Sequence, residues 1–270
     1  MLKTSLFLSA IALTTACAAP PDEASIDDIL SYEAFRGRAY FEEETGYAII
    51  NGDELAETEI DLEDAYMRYV DTELGLATVE QSLVVDRVGN ADDLYSAAAA
   101  ANITYCFDTR SFGNNLAGVT AAMNAAAAAW EGSARVNFVH SAAQDRSCTN
   151  RNNNVVFNVR KVNTNGYLAR AFFPSNGRAA RELLVSASAF KNIAPWTLAG
   201  ILTHELGHTV GFRHEHTRPE AGTCFEDNNW RALTPYDRNS VMHYPQCNGG
   251  NSGDLALTAD DRAGATSAYP

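Results

Sequence analysis

His204-Glu205-Leu206-Gly207-His208-Thr209-Val210-Gly211-Phe212-Arg213-His214-Glu215 holds three of the six histidines of this 270-residue chain, at the spacing of a metal site that carries its own base. On a helix, residues four apart lie on one face about 6 Å along the axis, so His204 and His208 present two imidazole nitrogens to one ion. Glu205, one position beyond the first of them, points beside the ion rather than at it, where it can take a proton from an attacking water. Gly211 ends the helix, because glycine tolerates the left-handed conformation that turns a chain back, and His214 then returns as a third ligand. Three neutral imidazoles leave one tetrahedral zinc position to water, whose pKa falls to about 7, and such a site is suited to hydrolysis. A bare HExxH turns up in many unrelated helices; a third His after a Gly at this spacing is far more specific.

Phe212, His214, Glu215 and Arg218 extend the string to HExxHxxGFxHExxR, which is similar to the astacin form of the metzincin signature. Ser240-Val241-Met242-His243-Tyr244, starting 26 residues after His214, resembles the Met-turn of the same proteins. In detail the chain looks most like bacterial astacin-like enzymes of the dual-action HEIGH metallopeptidase type, with Leu206 where that name has Ile; the strong resemblance covers about residues 196–246. It implies an α+β zincin/metzincin fold: a mixed five-stranded twisted sheet, two helices above the cleft, and an irregular lower subdomain ending in a C-terminal helix. It also implies a zinc metalloendopeptidase with one catalytic ion on His204, His208 and His214. Glu205 would be the general base, Met242 the apolar floor beneath the histidines, and Tyr244 an extra zinc ligand and oxyanion partner. Gly211 and Glu215 would support them. The alternative is a non-catalytic zinc-binding surface lipoprotein module that kept the fold; it has no use for Glu205, which is present.

Residues 1–16 have Lys3, an apolar run from Leu6 to Leu13 and small residues after it, the layout of a secretory signal peptide too short to be a transmembrane helix. Leu13-Thr14-Thr15-Ala16-Cys17 resembles a bacterial lipobox, with ordinary cleavage a residue or two later as the alternative. Cysteine parity favours lipidation at Cys17, since its removal leaves Cys106, Cys148, Cys224 and Cys247, an even number in an oxidising compartment. Pairing by proximity is Cys106 with Cys148 and Cys224 with Cys247, one of three connectivities. The expectation is export from a bacterial cell, as an outer-membrane or cell-surface lipoprotein attached through Cys17 or else as a freely secreted monomer.

With 46% hydrophobic and 20% charged residues, the chain can bury one good-sized core and a small extra segment. A net charge of -14 argues against a nucleic-acid partner, which needs basic patches, and leaves a protein or peptide substrate. Residues 17–88 are acidic and read as a propeptide or accessory segment, with a helix near 58–71 carrying Ile60, Tyr66, Met67 and Val70; residues 89–270 read as the peptidase domain. Ile49-Ile50-Asn51-Gly52-Asp53-Glu54 resembles the FxGD-type element of astacin propeptides, in which an Asp occupies the zinc position that water needs. Asp53 is therefore a candidate latency ligand, although Ile50 stands where the family has an aromatic residue and Asn-Gly-Asp also reads as a plain turn.

In the peptidase part, strands are expected at 103–107, 135–139, 155–159, 167–173 and 183–187, and a helix at 114–130 with Leu116, Val119, Met123 and Trp130 on its core face. Pro195-Trp196 should start the active-site helix. Past Gly211 little regular structure is expected until Thr258 caps a last helix running to about Ala268. His140 reads as a packing residue, His216 as surface, and His243 as a support for the Met-turn. Thr149 to Asn154 reads as a solvated loop.

Overall fold

Two apolar helix faces, one on Leu116–Glu131 and one on Leu198–Thr209, pack against each other beside a five-stranded sheet. Val119, Met123 and Trp130 of the first meet Leu202 and Leu206 of the second, and each large apolar side chain so buried is worth about 1.5–3 kcal/mol. The Trp130 indole N–H donates to Thr203 O at 2.8 Å, which fixes the crossing point. The computed structural model describes residues 31–73, 82–250 and 253–270, so the signal-peptide reading of 1–16 and the lipidation reading of Cys17 lie outside the described residues.

The sheet runs Phe138–His140, Ile103–Phe107, Phe157–Val162, Glu182–Ser186, Ala169–Arg170. The first four strands pair in parallel, and the fifth is antiparallel to Glu182–Ser186, which makes the sheet mixed. The α+β class and the five-strand count expected from the sequence are what the chain adopts, and Ile103–Phe107 and the cap at Thr258 fall where they were expected. Other bounds move. The strand expected over 167–173 keeps only Ala169–Arg170, because it ends the sheet and Pro174 with the Phe173–Asn176 turn stops it. The strand expected at 135–139 begins at Phe138. The active-site helix begins after Pro195-Trp196, at Leu198, where the Thr197 hydroxyl caps it by accepting from Gly200 N.

Residues 31–73 form a unit with a core of its own. Phe35, Ala48, Ala56, Leu62, Ala65 and Tyr69 pack between the helices Tyr32–Arg36 and Glu59–Glu73 and a three-stranded antiparallel sheet, Tyr40–Phe41, Ala48–Ile50, Glu54–Ala56. The helix falls where it was expected, and of its four named residues Tyr66 and Val70 pack on this core beside Leu62, Ala65 and Tyr69, whereas Ile60 and Met67 on the opposite face are 68% and 56% exposed. The unit docks on the sheet edge through Ile49 and Leu55, which pack on Tyr167, Ala180 and Leu184, and through a buried two-toothed ion pair, Glu42 with Arg170, at 2.8 and 2.9 Å.

Ser82–Val88 lies on the N-terminal side of the expected boundary at 88, yet it is built into the peptidase part. It pairs antiparallel with Trp230–Thr234 on one side and Ala91–Asp92 on the other, a strand pair that also corrects the expectation of no regular structure past Gly211. Leu83 belongs to the main core and lies against Gly264 of the last helix, and Val84 O accepts from Arg213 N at 2.9 Å, next to His214. We propose on this ground that the division of the chain falls before Ser82. A chain beginning at Gly89 should lose cooperative unfolding in urea, whereas one beginning at residue 80 should keep it. Equal transitions would return the boundary to 88.

Candidate metal centre

Helix geometry brings His204 and His208 onto one face, and the turn at Gly211 returns the chain so that His214 meets them. Gly211 has φ +91°, and a Cβ there would lie 2.1 Å from Asp93 O, so both the turn and the close approach require glycine. Each imidazole is oriented by its other nitrogen. His204 Nδ1 donates to Val241 O at 2.7 Å, His208 Nδ1 to Phe212 O at 2.8 Å, and His214 Nδ1 faces Glu226 Oε1 at 2.5 Å. A carbonyl oxygen only accepts, so His204 and His208 carry their protons on Nδ1, and the lone pairs of Nε2 point at the common centre.

This donor set fits a zinc ion. His204 Nε2 and His214 Nε2 are 3.2 Å apart, against about 3.3 Å for two nitrogens on one tetrahedral zinc at ordinary bond lengths. His208 Nε2, fully buried, has no hydrogen-bond partner among the described residues, nor has Asp53 Oδ1 opposite it at 3.5 Å. Asp53 Oδ1 also lies 3.0 Å from His214 Nε2, and Oδ2 lies 3.3 Å from His204 Nε2. Neutral imidazole lone pairs and a carboxylate converging out of reach of water form a set of electron donors that a cation would satisfy.

Around that centre, Tyr244 donates its hydroxyl to Asp53 Oδ2 at 2.5 Å and its ring packs against those of His204 and His214. Burial and the Asp53 carboxylate raise the Tyr244 hydroxyl well above the usual tyrosine range. Glu205 is buried with Oε2 unpartnered among the described residues, and burial followed by the negative charge of Asp53 raises its carboxyl well above the usual range. Met242 is fully buried below; a Cβ on Gly207 would lie 2.5 Å from its sulfur, so helix and Met-turn touch without a side chain between them. Glu215 N donates to Met242 O at 2.9 Å, and its carboxylate accepts from Asp237 N at 3.0 Å, tying the turn to the segment that follows His214.

A family model described as dual-action HEIGH metallo-peptidase matches residues 71–229, more than half of the chain. The chain belongs to that family. Among curated relatives, the dorsal-ventral patterning protein tolloid of Drosophila melanogaster is 27% identical over 134 residues, 43% of this chain and 11% of its own length. Zinc metalloproteinase nas-39 of Caenorhabditis elegans is 39% identical over 64 residues, 17% of this chain and 7% of its own. This HEIGH-family chain thus spans only a small part of the curated relatives it matches. The solved structure of myroilysin is similar at 18% identity and a TM-score of 0.46, covering 69% of this chain and 98% of that one.

The structure brings together His204, His208, His214, Glu205, Tyr244, Met242, Gly211, Glu215 and Asp53, all read from the sequence. It leaves His140 apart, packed on Tyr105 and facing Asp145, and joins His243 to Tyr236 beside the Met-turn. The surface reading of His216 is wrong: the ring is buried, stacked on His214 at 4.6 Å, and its Nδ1 accepts from Tyr244 N at 3.2 Å. Burial pushes its pKa down to about 4, so it is neutral and serves as a packing plate behind the third histidine. Both proximity disulfides are present, and Cys224–Cys247 staples the loop carrying Glu226 to the end of the Met-turn.

Two groups went unread. Glu226 holds His214 and, although burial alone would raise its pKa, its contacts with the His214 and His216 imidazoles keep it far below the carboxylate range. It shares Arg213 with Glu54 at 3.1 Å and with Asp227 at 2.5 Å. The available signal was Arg213 itself, a guanidinium wedged between the core residue Phe212 and a ligand, which must find carboxylates once buried. Asp261, at the start of the last helix, accepts from Ser240 Oγ and Val241 N and so holds the Met-turn. Glu226→Gln should lower zinc affinity by about 10- to 100-fold in chelator competition, with unchanged far-UV dichroism. Undiminished affinity would assign Glu226 to Arg213 alone.

Proposed function

We propose that this chain is a zinc-dependent endopeptidase, with one catalytic ion held by His204, His208 and His214, made as a latent precursor. The observation that carries the reading is the convergence of three imidazole Nε2 atoms with a Glu205 carboxylate beside them, its Oε2 without a partner among the described residues, in a cleft below a sheet edge. Zinc bound there would polarise the scissile carbonyl and supply water as a nucleophile near neutral pH. Glu205 takes the proton from the attacking water and delivers it to the leaving amine; its buried position gives it the high proton affinity of a working base. Tyr244, once its hydroxyl is free of Asp53, donates to the oxyanion. The substrate backbone pairs with Ala169–Arg170, the strand that ends the sheet above the cleft.

Latency rests on Asp53. Its carboxylate reaches all three histidines, and Gly52, with φ +107°, brings the backbone so close to Tyr244 that a Cβ would sit 2.9 Å from the ring. A carboxylate is a good zinc ligand, so Asp53 would hold the position that water needs. Glu54 next to it grips Arg213, and Glu42 grips Arg170, so the inhibitory tip is anchored by two buried ion pairs. The segment is removed to activate the enzyme, which works as an exported monomer, tethered to the membrane through Cys17 if that cysteine is lipidated.

The expected outcome for mature Glu205→Ala is full zinc content with cleavage of casein lost by about 10²-fold or more. Retained cleavage would sink the hydrolytic reading. Independently, the Asp53→Ala precursor should cleave without processing, whereas the wild-type precursor should not; a variant as inert as wild type would assign inhibition to another part of residues 31–73.

A further inference from the structure

The net charge of -14 lies entirely before Ser82: residues 31–73 alone hold thirteen acidic and three basic side chains, whereas residues 82–270 hold sixteen of each. Within that balanced part the charge is unevenly spread, since residues 151–191 carry seven lysines and arginines against one acidic residue, Glu182. The two uneven segments meet. Arg160, Leu184 and Arg170 stand opposite one another on three neighbouring strands, so they share one face of the sheet, while Val159, Leu183, Val185 and Ala169 belong to the main core on the other. Residues 31–73 cover the first face. Ile49 and Leu55 pack on Tyr167, Ala180 and Leu184, Glu42 takes two hydrogen bonds from Arg170, and Glu44 accepts from Arg160 Nη1 at 2.8 Å. A groove of about 650 Å³, with Glu42 to Glu44 on one wall and Arg160 to Tyr167 on the other, continues the contact.

We infer that this face, once residues 31–73 have left it, is a docking surface for an acidic, partly apolar stretch of the protein substrate that lies outside the residues at the cut. Docking there presupposes the hydrolytic reading above and the departure of residues 31–73, and adds an interaction remote from the reacting centre. The occupant in the precursor shows the chemistry that fits, carboxylates beside Ile and Leu. Its departure takes from Arg170 the carboxylate that it hydrogen-bonds, and leaves Arg160 with Glu182 at 3.6 Å. A guanidinium that loses its partner in a poorly hydrated site gains from a carboxylate that replaces it, and the uncovered Tyr167 and Leu184 gain from an apolar neighbour. Distance separates this surface from the cut. Phe157–Val162 is two strands in from Ala169–Arg170, so at about 4.8 Å per strand Arg160 lies about 10 Å beyond the strand that pairs with substrate.

The test uses the matured, zinc-loaded enzyme, shown by mass spectrometry to lack residues 31–73, and one short neutral peptide that it cuts. That peptide is compared with versions carrying, at either end, a flexible Gly-Ser spacer and a tail of Glu and Leu, or the same tail with Gln for Glu. At one of the two ends the Glu tail should raise kcat/KM about fivefold or more over the Gln tail in about 50 mM NaCl, and about 500 mM NaCl should remove that advantage. Arg160→Gln should reduce the advantage by about half or more, whereas Arg135→Gln, just before Phe138–His140 at the opposite end of the sheet, should keep it. Equal rates with Glu and Gln tails at both ends overturn the proposal and leave the peptidase reading standing. An advantage that survives salt, or that both variants lose equally, also overturns it. Failure to cut the short peptide removes the peptidase reading and this one with it.

Discussion

The structure depends on the three hydrogen bonds that hold the far nitrogens of His204, His208 and His214. Without them each imidazole could rotate or change tautomer, and three lone pairs would not meet at one point. Their acceptors come from three places in the chain: Val241 of the Met-turn, Phe212 just past the helix, and Glu226 in the disulfide-stapled loop. Each acceptor is fixed in turn. Asp261 at the start of the last helix holds the turn, Gly211 sets the path to Phe212, and Arg213 holds Glu226. The helices, the Met-turn and the loop therefore serve one geometric requirement.

Charge is managed around that requirement by pairing. Arg213 and Arg170 are almost fully buried, a state that costs several kcal/mol per ion unless carboxylates and further hydrogen bonds compensate. Both find part of that compensation in the N-terminal unit, Arg213 in Glu54 and Arg170 in Glu42. The two grips are not equivalent. Arg213 keeps Glu226 and Asp227 of its own part of the chain, whereas the carboxylate that Arg170 hydrogen-bonds among the described residues is Glu42, with Glu182 O accepting at 3.1 Å. Departure of residues 31–73 would thus change the surroundings of Arg170 far more than those of the histidine cluster's guanidinium neighbour.

The sheet positions the cleft through its edge. A two-residue strand is weak by itself, but Ala169–Arg170 is held from both sides, by pairing with Leu184 and Val185 and by the side chains of Tyr167 and Arg170 under Glu42. Its shortness follows from its place, since a strand with one neighbour gains half the ladder bonds of a central one. The same edge carries the docking contacts of the N-terminal unit and one wall of the cleft beside Glu205.

What the sequence by itself determined was local. The histidines at i and i+4, the glycine that reverses the chain, the Thr258 cap, and the apolar strand at Ile103 to Phe107 are all set by neighbours within one or two turns. Asp53 stood out only through the resemblance of Ile49 to Glu54 to an FxGD-type element, because Asn-Gly-Asp alone also reads as a plain turn. What tertiary structure decided was every partner set by distance along the chain. Ser82–Val88 looked like the tail of an acidic segment until it paired with Trp230–Thr234, about 145 residues on. His216 looked exposed because the rings that cover it, His214 and Tyr244, are polar in sequence terms and the second lies 28 residues on. Ile60 and Met67 look like core residues by type, and only the packing of Leu62, Ala65 and Tyr69 shows which face of their helix is inside. Glu226 is one carboxylate among 34 acidic residues, and no local pattern distinguishes it. A hydrogen bond across 12 residues of loop is chosen by the closure of the fold around it, and the residue types alone leave that closure open.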